Sequence, residues 1–146
     1  MKRNDVPLGS VLPSNSSLPR GVRNNNPLNI RVGNDWQGEA AISRDNAFET
    51  FKSAEYGFRA ATKVLRSYNR QGISTVAGII SRWAPSNENN TEHYINSVCG
   101  WTGFSRGQVI DVYNKEQVAK LLHAMSIMEV GRYYDMDTAR AGVAMA

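Results

Sequence analysis

Apolar residues change their spacing once along the chain, near Phe51, and that change divides the sequence into two kinds of structure. After Ser53, a capping residue type, Tyr56, Ala60, Ala61, Val64, Leu65 and Tyr68 recur at threes and fours until Gly72, predicting an amphipathic helix. Val76, Ile79, Ile80 and Trp83 predict a second helix that stops before Pro85, because the residue preceding a proline is pushed out of the α region. Thr91 is read as the cap of a third, with Tyr94, Ile95, Val98 and Cys99 or Trp101 on its inner side and Gly100 with Gly103 as breakers. Asn114 followed by Gln117 resembles a capping box and opens a fourth helix that runs to Gly131. Before Phe51 the pattern is different. Asn24 to Arg31 is a turn cluster leading into an extended piece, Val32 to Gly38 reads as a hairpin tip, and a small antiparallel element is expected over about residues 28 to 50. Residues 1–20 carry Ser, Pro and Asn without apolar periodicity and are read as an arm, 21–135 as the domain and 136–146 as a tail. The fold class expected is mainly α (α+β), a helical domain with a small β-hairpin lobe.

The 146 residues suit one domain with a self-sufficient core. A single cysteine, Cys99, excludes an internal disulfide and a cysteine-built zinc site, and is read as a small core residue. His93 and His123 have no ligand partners at metal spacing, so no metal and no cofactor are expected. Pro7, Ser10, Pro13 and Asn15 interrupt what would otherwise be a signal-like start, and no apolar run approaches a membrane span, so synthesis in the cytoplasm and no membrane partner are expected. The net charge of +4, from 12 Arg and 5 Lys against 13 acids, is scattered; it favours anionic surfaces in general, and no nucleic-acid partner is expected from it.

The fourth helix carries the sharpest chemical signal. At 100° per residue from Val118, Leu122 falls at roughly 40°, Met125 at roughly 340° and Glu129 at roughly 20°, the middle of the apolar stripe. A carboxyl group aimed at the core, in the last turn where the helix end is negative, has two reasons for a raised pKa, and a glutamic acid protonated near neutrality is a general acid. The acid of lysozyme, a glutamate in an apolar pocket, works in this way, and the same logic applies to Glu129. The competing reading turns Glu129 outward to pair with Arg132 three residues on. Glu88, in the polar loop before the third helix, is the reserve acid, with an ordinary helix-end role as its alternative. Asp35 and Glu39 flank Trp36 in the hairpin and are read as solvated, with a second carboxylate facing Glu129 as the other option. Trp36 on a turn is the best platform for a sugar ring, while Trp83 and Trp101, at helical spacing, are read as packing.

Three stretches carry a family resemblance: GVRNNNPLNIR with DWQG, FETFKSAEYGFRAATKVL, and TVAGIISRWAPSNENNTEHYINSV. Together they resemble a family of small bacteriophage proteins known as virion structural proteins or lysozyme-like cell-wall hydrolases, over about Gly21 to Arg132. The resemblance implies a lysozyme-like fold and cleavage of the bond between N-acetylmuramic acid and N-acetylglucosamine, by a lytic transglycosylase or a muramidase. It implies location in a virion or in the host cytoplasm, with action in the periplasm or wall. Ala124 to Gly131 looks like the end of the helix that bears the catalytic glutamate in that superfamily. Because Glu129 follows Asn26 to Ile30 instead of preceding such a segment, a circularly permuted order of the same parts is expected. The stretch from Trp83 to Tyr94 is similar to the region that places a site tyrosine in transglycosylases. Tyr94 is therefore assigned to orienting the acid or an acetamido group, Trp36 to supporting a sugar, and Asn26, Asn29 and Gln37 to hydrogen bonding along the glycan. Two positions depart from the family pattern: Leu28 stands where Gly is usual, which puts a positive-φ turn in doubt, and Val130 replaces Asn beside the acid. The partners implied are peptidoglycan glycan strands and other virion (tail) proteins. The alternative function is a non-enzymatic virion component that keeps the lysozyme-like fold and uses its two ends as docking arms.

Overall fold

A computed structural model describes residues 17–86 and 89–146. The protein is mainly helical, with six helices among the described residues: α1 (Arg20–Arg23), α2 (Ala54–Arg70), α3 (Val76–Trp83), α4 (Thr91–Thr102), α5 (Lys115–Val130) and α6 (Met136–Ala144). The four predicted helices are α2 to α5. Thr75 caps α3 by accepting from the Gly78 N–H, and Asn114 caps α5 by accepting from the Gln117 N–H. The cap of α4 is Asn90, which accepts from the His93 N–H; Thr91 is already helical, and its hydroxyl donates to the Ala84 carbonyl at 2.6 Å. Gly100 is tolerated inside α4, which ends at Gly103 in the left-handed region with φ 80°. Ser53 precedes α2 but makes no capping bond.

The expected hairpin lobe is reduced to isolated antiparallel bridges, Arg31 with Phe48 and Glu39 with Phe51. The extended stretch 47–52 uses both edges. Its odd residues bond residues 30–32, by Glu49 N–H to Ile30 O and Val32 N–H to Ala47 O, and its even residues bond 38–40, by Ala40 N–H to Thr50 O and Lys52 N–H to Gly38 O. Alternate residues of an extended chain point their backbone groups to opposite sides, so this short stretch is a central strip with a partner on each edge.

Residues 136–146, expected as a tail, are part of the folded body. Asp135 caps α6 by accepting from the Thr138 N–H, and Ala139, Gly142 and Val143 are buried where α6 packs against α2 and α5. Phe58 explains why α2 has more buried surface than one stripe: its ring is fully buried on the α6 side and meets Tyr134 edge to face at 6.0 Å. The helices approach closely at Gly142, where an added Cβ would fall onto Phe58 Cβ and within 2.5 Å of the Glu55 carbonyl. Gly142→Ala is expected to lower stability by about 1–3 kcal/mol through overpacking, measured as a reduced urea midpoint.

Of the expected arm, residues 1–20, positions 1–16 lie outside the described residues; Arg20 begins α1. Helix α5 is the centre of the body, contacting α1, α2, α4 and α6, and its buried side includes Val118, Leu121, Leu122 and Met125. No helix among the described residues is long and apolar enough to cross a membrane.

Candidate functional site

Glu129 lies in the last turn of α5, one residue before Val130 and two before Gly131, which ends the helix with φ 96°. Its carboxylate faces inward. Oε1 accepts from Asn29 Nδ2 at 2.9 Å and Oε2 accepts from the Tyr94 hydroxyl at 2.9 Å. Burial raises its pKa above the ordinary glutamate value, and the hydrogen bonds from Asn29 and Tyr94 oppose part of that rise by favouring the ionised form. The outward alternative is not the one adopted: the guanidinium of Arg132 stacks on the Trp101 ring, 5.2 Å from its centroid.

Three elements converge to hold this acid. Helix α4 contributes Tyr94, buried at position four of the helix, with its hydroxyl also 3.4 Å from the Met125 carbonyl. Burial is the main reason that its phenol is raised well above the usual range, with the Glu129 charge adding to the effect. The turn cluster contributes Asn29, whose φ of 51° lies in the left-handed region; Asn25 shares that φ. Asparagine enters this region more readily than other non-glycine residues, which is why an Asn-rich turn can aim an amide here. Leu28 does not occupy a positive φ and is fully buried, so the departure from glycine leaves the turn intact. Helix α1 contributes a gap. At Gly21 an added Cβ would sit 2.5 Å from Asn29 Oδ1 and from Val130 Cγ1, so only glycine lets the turn close onto the end of α5. Gly21→Ala is expected to displace Asn29 from Glu129 and to lower stability by about 1–3 kcal/mol, read from denaturant unfolding.

Asn26, assigned to glycan binding, is a correction. It is fully buried, and its amide is spent on the backbone: Nδ2 donates to Ile30 O at 2.9 Å and Glu49 O at 3.0 Å, while Oδ1 accepts from Ile30 N–H at 2.9 Å. It staples the turn to the central strip and is closed to a ligand. Gln37 is exposed on the turn at 37–38 and does not line the cavity beside Asn29.

That cavity, about 320 Å³, is walled by Asn29, Asn34, Trp36, Tyr68 and Trp83, with Arg31 at its side. Trp36, expected as a sugar platform, is one of its walls. Its indole N–H is buried without a hydrogen-bond partner among the described residues. Trp83 stands in the wall and donates its indole N–H to the Leu28 carbonyl at 3.0 Å, with Tyr68 edge to face at 5.9 Å. Trp101, read as packing, is instead 45% exposed on another face of the molecule. Cys99 is half-buried, with its thiol pushed up by burial.

Glu88 lies outside the described residues. Glu39 does not face Glu129: it accepts from the Trp36 N–H at 2.5 Å and meets Glu49. Glu49 is a buried acid that the sequence patterning does not single out. Its carboxyl is raised first by burial and then by the Glu39 charge. The signal available for it is an acid between two phenylalanines of an extended stretch, Phe48 and Phe51.

The arrangement supplies one buried carboxyl with a raised pKa, held in fixed orientation by Asn29 and Tyr94; Asn29 also lines the aromatic cavity, whose walls include neither Glu129 nor Tyr94. Tyr94→Phe removes a donor that favours the ionised carboxylate, so the pKa of Glu129 is expected to rise further; an NMR titration of the Glu129 side chain reads the change, and an unchanged or lowered value contradicts the assignment.

No protein-family model matches the chain. It is 45% identical over 117 residues to Protein P5 of Pseudoalteromonas phage PM2, an alignment spanning 77% of this chain and 71% of the relative.

Proposed function

The chain belongs to the family of Protein P5 of Pseudoalteromonas phage PM2, and from that premise we propose that it is a phage enzyme cleaving the glycan strands of peptidoglycan, with Glu129 as general acid. The observation that carries this reading is the inward carboxyl of Glu129, raised by burial and gripped by Tyr94 and by Asn29, a residue that also lines an aromatic cavity. A lysozyme-like arrangement with its parts in permuted order is part of the same proposal.

Glu129 donates its proton to the glycosidic oxygen between N-acetylmuramic acid and N-acetylglucosamine. As the C1–O bond breaks, the departing N-acetylglucosamine takes that proton and becomes an alcohol. The 6-hydroxyl of the muramyl residue attacks C1, and its proton passes to the Glu129 carboxylate, which restores the acid. The product is a 1,6-anhydro sugar, and the cycle needs one carboxyl group. This favours a lytic transglycosylase over a muramidase, because Glu39 is engaged with Trp36 and Glu49. Tyr94 and Asn29 fix the orientation of the acid, and Trp36, Tyr68 and Trp83 wall the adjoining sugar site.

A general acid must be protonated to act, and burial raises the pKa of this one. Activity is therefore expected to persist above the ordinary glutamate range and to fall as pH rises through the raised pKa. The same shift affects folding with a definite sign. The folded state keeps the proton longer than the unfolded state, so the stability contribution of Glu129 is full below the unfolded pKa and declines as pH rises toward the folded one. The test is incubation of purified sacculi with the protein across pH, with released muropeptides quantified. Release with an alkaline limb above the range of a free glutamate supports the proposal; no release at any pH overturns it in favour of a non-enzymatic virion component.

A further inference from the structure

A cavity of about 840 Å³, larger than the one walled by Asn29 and Trp36, is lined by Arg20, Arg23 and Arg44 with Asn24, Ser43, Asp45 and Asn46. Its one acid is already used. Asp45 takes a two-pronged contact from Arg20, Nε to Oδ2 at 2.5 Å and Nη2 to Oδ1 at 2.7 Å, and also accepts from Asn24 Nδ2 and from the N–H groups of Ala47 and Phe48. Arg23 and Arg44 have no ion-pair partner among the described residues, and both are exposed. The cleft therefore carries an uncancelled charge of two guanidiniums, each a planar fork suited to a carboxylate.

A second observation gives the cleft a direction. The guanidiniums of Arg20 and Arg31 both stack on the ring of Phe48, at 4.8 and 4.7 Å from its centroid. Arg20 lines the arginine cleft, and Arg31 lines the aromatic cavity next to Asn29. Each cavity thus has one arginine of its lining stacked on the same Phe48 ring. A ligand reaching from one to the other presents a neutral, stackable part beside Trp36 and an anionic part at Arg23 and Arg44.

We propose that the arginine cleft binds the carboxylates of the peptide stems that branch from the glycan strand, and so selects stem-bearing peptidoglycan. This rests on the reading of Glu129 as the acid of a glycan-cleaving site, but its test does not depend on cleavage. Free stem peptide, L-alanyl-D-glutamyl-diaminopimelyl-D-alanine, is titrated into the full chain by calorimetry at low salt. The same titration is made with the double variant Arg23→Gln/Arg44→Gln, with Glu129→Gln, and with Arg70→Gln, an exposed arginine outside both cavities. Unchanged thermal midpoints confirm that each variant is folded.

The expected result is binding by the wild type that weakens about tenfold or more in the double variant, from the loss of two charge-assisted contacts, and is unchanged in Glu129→Gln and Arg70→Gln. Binding that the double variant retains overturns the proposal, as does no binding by the wild type. If inorganic phosphate or duplex DNA displaces the peptide at equal or lower concentration, the cleft is a phosphate site and the proposal is likewise overturned. Should the peptide bind as expected while sacculi are not cleaved, the cleft stands and the reading of Glu129 falls.

Discussion

Glu129→Gln is expected to lower the rate of glycan cleavage by about 10²- to 10⁴-fold, the contribution of a well-placed general acid. Glutamine keeps the size of the side chain, and its amide oxygen can still accept from Asn29 or Tyr94, so the fold should hold while the proton is lost. The effect should fall on kcat, since the proton is transferred only as the glycosidic bond breaks, with little change in KM. A variant that loses activity together with its thermal midpoint would indicate damage to the packing around Val130 and Gly21. A variant that keeps full activity would move the acid elsewhere, and Glu88 is then the residue to replace.

The largest expected loss of stability comes from Asn26→Ala, by about 3 kcal/mol. Three buried hydrogen bonds end on this one amide, joining the turn at Ile30 to the strip at Glu49. Removing it leaves the Ile30 N–H without its partner in an interior site, where an unsatisfied group costs about 1–3 kcal/mol, and adds a small cavity and a loosened Glu49 carbonyl. For a chain near 150 residues each kcal/mol lowers the thermal midpoint by about 2–4 °C, so a drop of roughly 6–12 °C is expected in a thermal scan. A change within a degree would mean that the turn is held by other contacts. Because Asn29 leaves the same turn to reach Glu129, the loss should also weaken the acid's orientation.

The residues most legible in the sequence are those governed by local periodicity. The angular position of Glu129 on a helix bounded by Asn114 and Gly131 predicts its inward face, and α5 has those bounds. Three of the other helices follow for the same reason. Contact between distant segments is what local pattern does not carry. Asn26 looks like a surface turn residue because nothing local shows that its amide reaches Glu49, 23 residues on. Asp45 and Arg20 are 25 residues apart, and only the folded lobe reveals that they cancel and leave Arg23 and Arg44 uncompensated. Helix α6 escapes the pattern because Ala139, Gly142 and Val143 make a small apolar face, weak as a signal but sufficient when α2 approaches closely enough to exclude a side chain at Gly142. The resemblance names Tyr94 for the acid or an acetamido group and Asn29 for the glycan; both hydrogen-bond Glu129, on opposite oxygens, and positioning that carboxyl is the role we propose for them.

The central claim is that Glu129 is the acid of a glycan-cleaving site. Mass spectrometry of purified peptidoglycan after incubation with the wild type and with Glu129→Gln tests it most directly. The account predicts 1,6-anhydromuropeptides from the wild type and none from the variant. Equal yields from both, or no product from the wild type, would contradict it.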